Sequence, residues 1–144
     1  MKFLLAGSLL LLIAFPASAQ SAKVFVKGNG AQCWLDVRQI VNQHSRDVTE
    51  DDELQILRAG HYSTPSGDMF MSIQVLTEKN EKGEEGCRIY VGTEGGGTYA
   101  SPSQVVSDTS VNTRVANQIA AQVVAMEKAR EKKEKKSASS QPNP

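Results

Sequence analysis

Only two cysteines, Cys33 and Cys87, occur in the 144 residues, and the first nineteen residues decide what they do. Met1 and Lys2 give a positive start, residues 3–15 are an almost unbroken apolar run, and Pro16-Ala17-Ser18-Ala19 ends it in the small residues a signal peptidase accepts. The run is too short for a spanning helix, which needs about twenty apolar residues. It therefore reads as a cleavable leader, with Gln20 starting the mature chain. Its Lys, Leu-rich, Ala-Ser-Ala style resembles bacterial export signals. An exported chain enters an oxidising compartment, where two cysteines pair by default. A Cys33–Cys87 bridge closes a loop of roughly fifty-five residues, which removes about 4 kcal/mol of unfolded-chain entropy.

The leader also shapes the expectations for localisation. No cysteine follows Ala17-Ser18-Ala19, so a lipid-anchored lipoprotein is not expected, and no second hydrophobic stretch suggests an integral anchor. The expected product is soluble, in the periplasm or outside the cell. Between residues 20 and 126, nine basic face thirteen acidic residues, a net of −4, while residues 127–136 carry six basic and three acidic, a net of +3. Neither imbalance makes the dense positive stripe of a nucleic-acid binder.

Residues 20–126 suffice for one domain and too few for two. Residues 23–27 are β-branched and aromatic and read as a strand. Gly28-Asn29-Gly30 is a turn with Asn29 placed to cap a helix. Cys33, Val37, Ile40 and Val41 then fall on one face of a helix over 31–44, with Trp34 beside the stripe and Asp36, Arg38, Gln39 and Gln43 off it. Thr49 and Asp52 resemble a capping box opening a short helix through Leu54 and Leu57, although Leu54 and Ile56 also alternate like a strand. Residues 60–68 are rich in turn formers and read as an exposed loop.

The clearest β signal is 69–77, with Met69, Met71, Ile73 and Val75 on one face, followed after a charged loop by 86–93. Together they form an antiparallel hairpin whose inner face carries Cys87. After Gly95-Gly96-Gly97 and a Ser/Pro-containing linker, Val111, Val115, Ile119, Val123 and Met126 make the stripe of a long helix starting near Ser110, flanked by Ala116, Ala120 and Ala125. From Glu127 the stripe gives way to a solvated charged extension, and 137–144 has the composition of a disordered tail. The expected fold is α+β: a small antiparallel sheet, including the 69–77/86–93 hairpin, packed against an N-terminal helix and a long C-terminal helix.

Catalytic and ligand-binding motifs are weak. Gly95-Gly96-Gly97 lacks the Gly-Lys-Ser/Thr of a phosphate loop and reads as a flexible turn. His44 and His61 have no metal-ligand spacing, and Glu50-Asp51-Asp52-Glu53 lacks the Asp-x-Asp-x-Asp-Gly order of a calcium loop. His61, Ser63, Ser66 and Asp68 contain the residue types of a hydrolase triad, but without a Gly-x-Ser-x-Gly elbow. No catalytic residue, metal or cofactor is assigned. The loop is more credible as a partner-binding element presenting His61, Tyr62, Pro65 and Phe70 than as a triad, while a plain connecting loop remains the favoured reading. The basic extension reads as a solvated helix end, since three interleaved glutamates dilute its charge. The sequence thus points to a small exported non-catalytic interaction protein. Its expected partner is another envelope or secreted protein, as for an inhibitor, an immunity-type binder or an accessory component of an envelope or secretion system. The alternative is a small secreted hydrolase with a site assembled from distant residues.

Overall fold

Asn29 starts the first helix as expected, its side-chain oxygen accepting the Gln32 N–H at 3.0 Å. In this computed structural model, which describes residues 22–98, 101–105 and 109–140, the chain runs β1 (Ala22–Lys27), α1 (Gly30–His44), β2 (Val48–Asp51), β3 (Ile56–Thr64), β4 (Gly67–Lys79), β5 (Glu85–Thr98), β6 (Ser101–Val105) and α2 (Thr109–Ser139). The expected leader, residues 1–19, and the last four residues of the chain lie outside the described residues.

The six strands form one antiparallel sheet in the order β1-β5-β4-β3-β2, with β6 also against β5. Strands β2 to β5 are a meander, each pairing with the next. β1 joins the opposite edge, beside β5, so α1 must carry the chain across one face of the sheet to reach β2. Gly30 permits this crossing, because a Cβ there would sit 2.3 Å from the Thr77 side chain of β4. The fold is α+β as expected, with the short helix, the long helix and the β4–β5 hairpin all present.

Both helices bury their apolar stripes on the same sheet face. Val37, Ile40 and Val41 of α1 and Val111, Val115, Ile119 and Val123 of α2 join Leu57, Met71, Ile73, Val75, Ile89 and Val91 in one core. Ala116 and Ala120 are buried too, small enough to bring the helix close to the sheet, whereas Ala125 is exposed and Met126 packs at the margin. The disulfide forms between Cys33 of α1 and Cys87 of β5, with Cα atoms 6.4 Å apart. No helix among the described residues is long and apolar enough to cross a membrane.

Four local expectations are corrected. The Thr49/Asp52 helix does not form: its residues make β2, a tight turn and the start of β3. The turn is closed by Asp51, whose carboxylate accepts the Leu54 N–H at 3.0 Å, and Gln55 takes a φ of 52°. A single helical turn there would have had too little apolar surface to bury, whereas a strand lets Leu57 and Ala59 enter the core. The exposed loop at 60–68 is instead the tip of the β3–β4 hairpin. The expected linker after residue 97 contains β6, and β5 runs to Thr98. Finally, α2 continues through Ser139, so residues 137–139 are helical where a disordered tail was expected.

Candidate interaction surface

Alternation along β4 and β5 puts Met71, Ile73, Val75, Cys87, Ile89 and Val91 inward and leaves Phe70, Ser72, Gln74, Leu76, Arg88 and Tyr90 on the other face. No described helix covers that face. Register brings Phe25 of β1 and Leu76 of β4 to either side of Arg88, and Lys23 and Gln74 to either side of Tyr90. The Arg88 guanidinium stands 5.6 Å from the centre of the Phe25 ring and pairs with Glu78. Hydrogen bonding to Glu78 holds this guanidinium above even its ordinary pKa, so its charge is fixed. A Cβ at Gly86 would lie 2.5 Å from the Phe25 ring and 2.2 Å from the Val26 carbonyl oxygen, so glycine there lets Phe25 lie down across the strand. The result is a rigid patch of half-exposed aromatic, aliphatic and arginine side chains, the residue types that dominate protein contacts.

The residues expected on a partner-binding loop are divided by the hairpin. Ala59 opposes Met71 and Tyr62 opposes Met69, so a bulge places Gly60 and His61 opposite Phe70. His61 and Phe70 are half-buried on the open face, and Pro65 is exposed at the tip. Tyr62, however, is only 1 % exposed and belongs to the core, so it is removed from the set of contact residues. The bulge is the cause: it shifts the alternation and turns Tyr62 inward. His61 meets Asp47 at 2.8 Å, while Asp68 pairs with Arg46 at 3.5 Å. These contacts do not form a His61-Asp68 arrangement of a hydrolase. His44 lies elsewhere, its ring 5.6 Å from that of Tyr62 and its Nε2 3.4 Å from the Gln122 amide. Glu50 of the acidic run pairs with Arg38 at 2.7 Å. Among the described residues no three His, Cys, Asp or Glu side chains are grouped to hold a metal ion.

Tyr62 carries a stability consequence. Its hydroxyl has no hydrogen-bond partner among the described residues, and burial pushes its pKa from 10.0 up to about 12. The unfolded tyrosine ionises first, so the folded state keeps a proton that the unfolded state loses. Stability is therefore fully present below pH 10 and is lost between about pH 10 and 12, by roughly 2–3 kcal/mol. Tyr62→Phe is expected to remove that alkaline loss and to raise stability at neutral pH by about 1 kcal/mol, because it deletes an unsatisfied buried hydroxyl. Urea unfolding of both proteins at pH 8 and pH 11 measures both effects; a Tyr62→Phe protein less stable at pH 8 would show that the hydroxyl is satisfied.

A second feature lies where the end of β1, the start of α1 and the second half of α2 meet. They enclose a cleft of about 280 Å³, lined among others by Gln32, Cys33, Asp36, Glu127, Glu131 and Glu134. At its base Asp36 is buried and receives two hydrogen bonds from Arg130, at 2.8 and 2.7 Å, and a third from the Gln32 amide at 3.0 Å. The pair with Asp36 holds the Arg130 guanidinium above its usual pKa, first by hydrogen bonding and then by charge. Sequence reading missed this pair by placing Asp36 off the helix stripe. Its spacing from Cys33 and Ile40 was the available signal, but nothing in the sequence joins it to a residue 94 positions away. Lys27, at the mouth, pairs with Glu84, which raises the lysine pKa and lowers that of the carboxyl. In comparisons with known proteins, no family model matches the chain and no curated protein matches it significantly.

Proposed function

We propose that this is an exported, non-catalytic interaction protein of the bacterial envelope or its secreted fraction, which binds another protein through the open face of its sheet. The observation that carries this reading is the Phe25–Arg88–Leu76 row beside Tyr90 and Phe70, on a face that the helices leave uncovered. Aromatic and arginine side chains held on paired strands bind with little ordering cost, because the backbone beneath them is already fixed. The disulfide supports export, since such bridges persist in oxidising compartments.

Crosslinking of the chain in the envelope of its producing cell tests the proposal. One stoichiometric protein should be recovered, and Leu76→Ser with Tyr90→Ala should weaken its binding at least about tenfold, while Lys82→Ala in the β4–β5 turn leaves it intact. Undiminished capture by the double variant would overturn the assignment of the face. Rapid turnover of ester, peptide or glycoside substrates by the purified chain would favour the secreted hydrolase instead.

A further inference from the structure

Along the sequence, lysines and glutamates alternate at the end of α2; around the helix they separate. At 3.6 residues per turn Glu127, Glu131 and Glu134 fall within an arc of about 60°, and Lys128, Lys132, Lys133, Lys135 and Lys136 within an arc of about 160° on the other side. The glutamate arc is turned toward the domain, where all three side chains line the cleft beside α1. The five lysines are all exposed, and among the described residues none has a carboxylate within ion-pairing distance. The buried stripe Val111, Val115, Ile119 and Val123 sets this rotation along the continuous helix, and Arg130 holds the helix end to it. The paired hydrogen bonds of Arg130 to the buried Asp36 of α1 agree with that phase, which puts the glutamates along the cleft, Glu131 and Glu134 exposed at its rim, and the lysines away from it. The interleaving that dilutes the charge in sequence therefore leaves it concentrated in space.

We infer that this lysine face docks the protein on an anionic phospholipid surface. Charge complementarity selects the occupant. Five ammonium groups on one helical face, without an arginine or aromatic among them, offer no bidentate fork and no stacking platform, the devices that read phosphorylated peptides and nucleic acids. They are point charges on flexible stems, suited to a plane of dense and mobile negative headgroups. The only apolar residue within the lysine arc is the small Ala129, too small to insert, so attachment is electrostatic and reversible. The remainder of the mature chain, with nine basic against thirteen acidic residues, is repelled by the same surface. That asymmetry orients the molecule, with the end of α2 on the membrane and the bulk of the domain held away from it. This docking is independent of the protein contact proposed for the sheet, and its failure leaves that contact unaffected.

Vesicle co-sedimentation of the full chain tests the inference. Vesicles containing phosphatidylglycerol should bind it and pure phosphatidylcholine vesicles should not. Binding should fade as ionic strength rises from about 0.01 M, where the screening length is ~30 Å, to about 1 M, where it is ~3 Å. The Lys128→Gln/Lys132→Gln/Lys135→Gln variant should lower partitioning on the order of a hundredfold, with helix content unchanged because glutamine is a good helix former. The Lys79→Gln/Lys82→Gln variant, altered on the sheet loop, should bind like the parent. Equal binding to both vesicle types would overturn the inference. Full binding by the triple variant would also overturn it. So would absence of vesicle binding together with lysine-dependent retention on heparin, which would assign the face to a soluble polyanion.

Discussion

Replacing both cysteines, Cys33→Ala with Cys87→Ala, is expected to lower the unfolding free energy by about 4 kcal/mol, the loop-closure entropy of a crosslink between residues 54 apart. For a domain of this length that corresponds to a fall in Tm on the order of 20 °C, a large part of a total stability of about 5–15 kcal/mol. The bridge ties α1, the crossing element, to β5, second in the strand order beside β1, so the unbridged chain must bring the two together through a long loop. Both sulfurs are buried, Cys33 at the cleft and Cys87 under the helices, so a reductant gains access only when the structure opens. Calorimetry of the double variant, and of the parent before and after reduction in denaturant, measures the effect. A Tm change of only a few degrees would show that the packing of Val37 and Ile40 against β4 and β5 already holds the crossing in place.

The elements that were legible in the sequence are those whose side chains keep one period throughout. β4 alternates strictly over 69–75, and α1 and α2 return an apolar residue every three or four positions, so strand, helices and disulfide partners could all be read. β3 could not, because its bulge breaks the period: Leu57 and Ala59 point inward, and the next inward residue is Tyr62. The Gly60-His61 irregularity makes a strand look like a loop and Tyr62 like a surface aromatic. β2 is a four-residue edge strand with one apolar side chain, Val48, and therefore has no face to detect. The patch around Arg88 was hidden for a different reason. Its members are adjacent only through cross-strand register, and Phe25 of β1 meets Arg88 of β5 from 63 positions away in sequence. Charge segregation on α2, by contrast, was present in the spacing and needed only the helical phase set by the buried stripe of Val111, Val115, Ile119 and Val123.

Arg130→Ala is expected to cost about 3 kcal/mol, the low end of the range for removing one partner of a buried ion pair. The loss arises mainly on the other side of the pair. Asp36 is 3 % exposed and keeps only the Gln32 amide as a partner, so an unneutralised carboxylate is left beneath α2. The low end applies because Arg130 is itself 37 % exposed and water can enter the space it vacates. Asp36→Leu with Arg130→Met should recover most of the stability, since an apolar pair of similar size has no charge to desolvate. Urea unfolding of the two single variants and the double variant separates the pair's coupling from the packing of each side chain. The apolar pair restores stability without a directional contact, so it also separates stability from helix phase. In Arg130→Ala, hydrogen exchange should quicken along residues 128–138 beyond the acceleration of the core strands, which follows the loss of global stability. If exchange in that segment is unchanged, the helix end is held by its own backbone bonds, and the Asp36–Arg130 pair then contributes to the stability of the domain without setting where the lysines face.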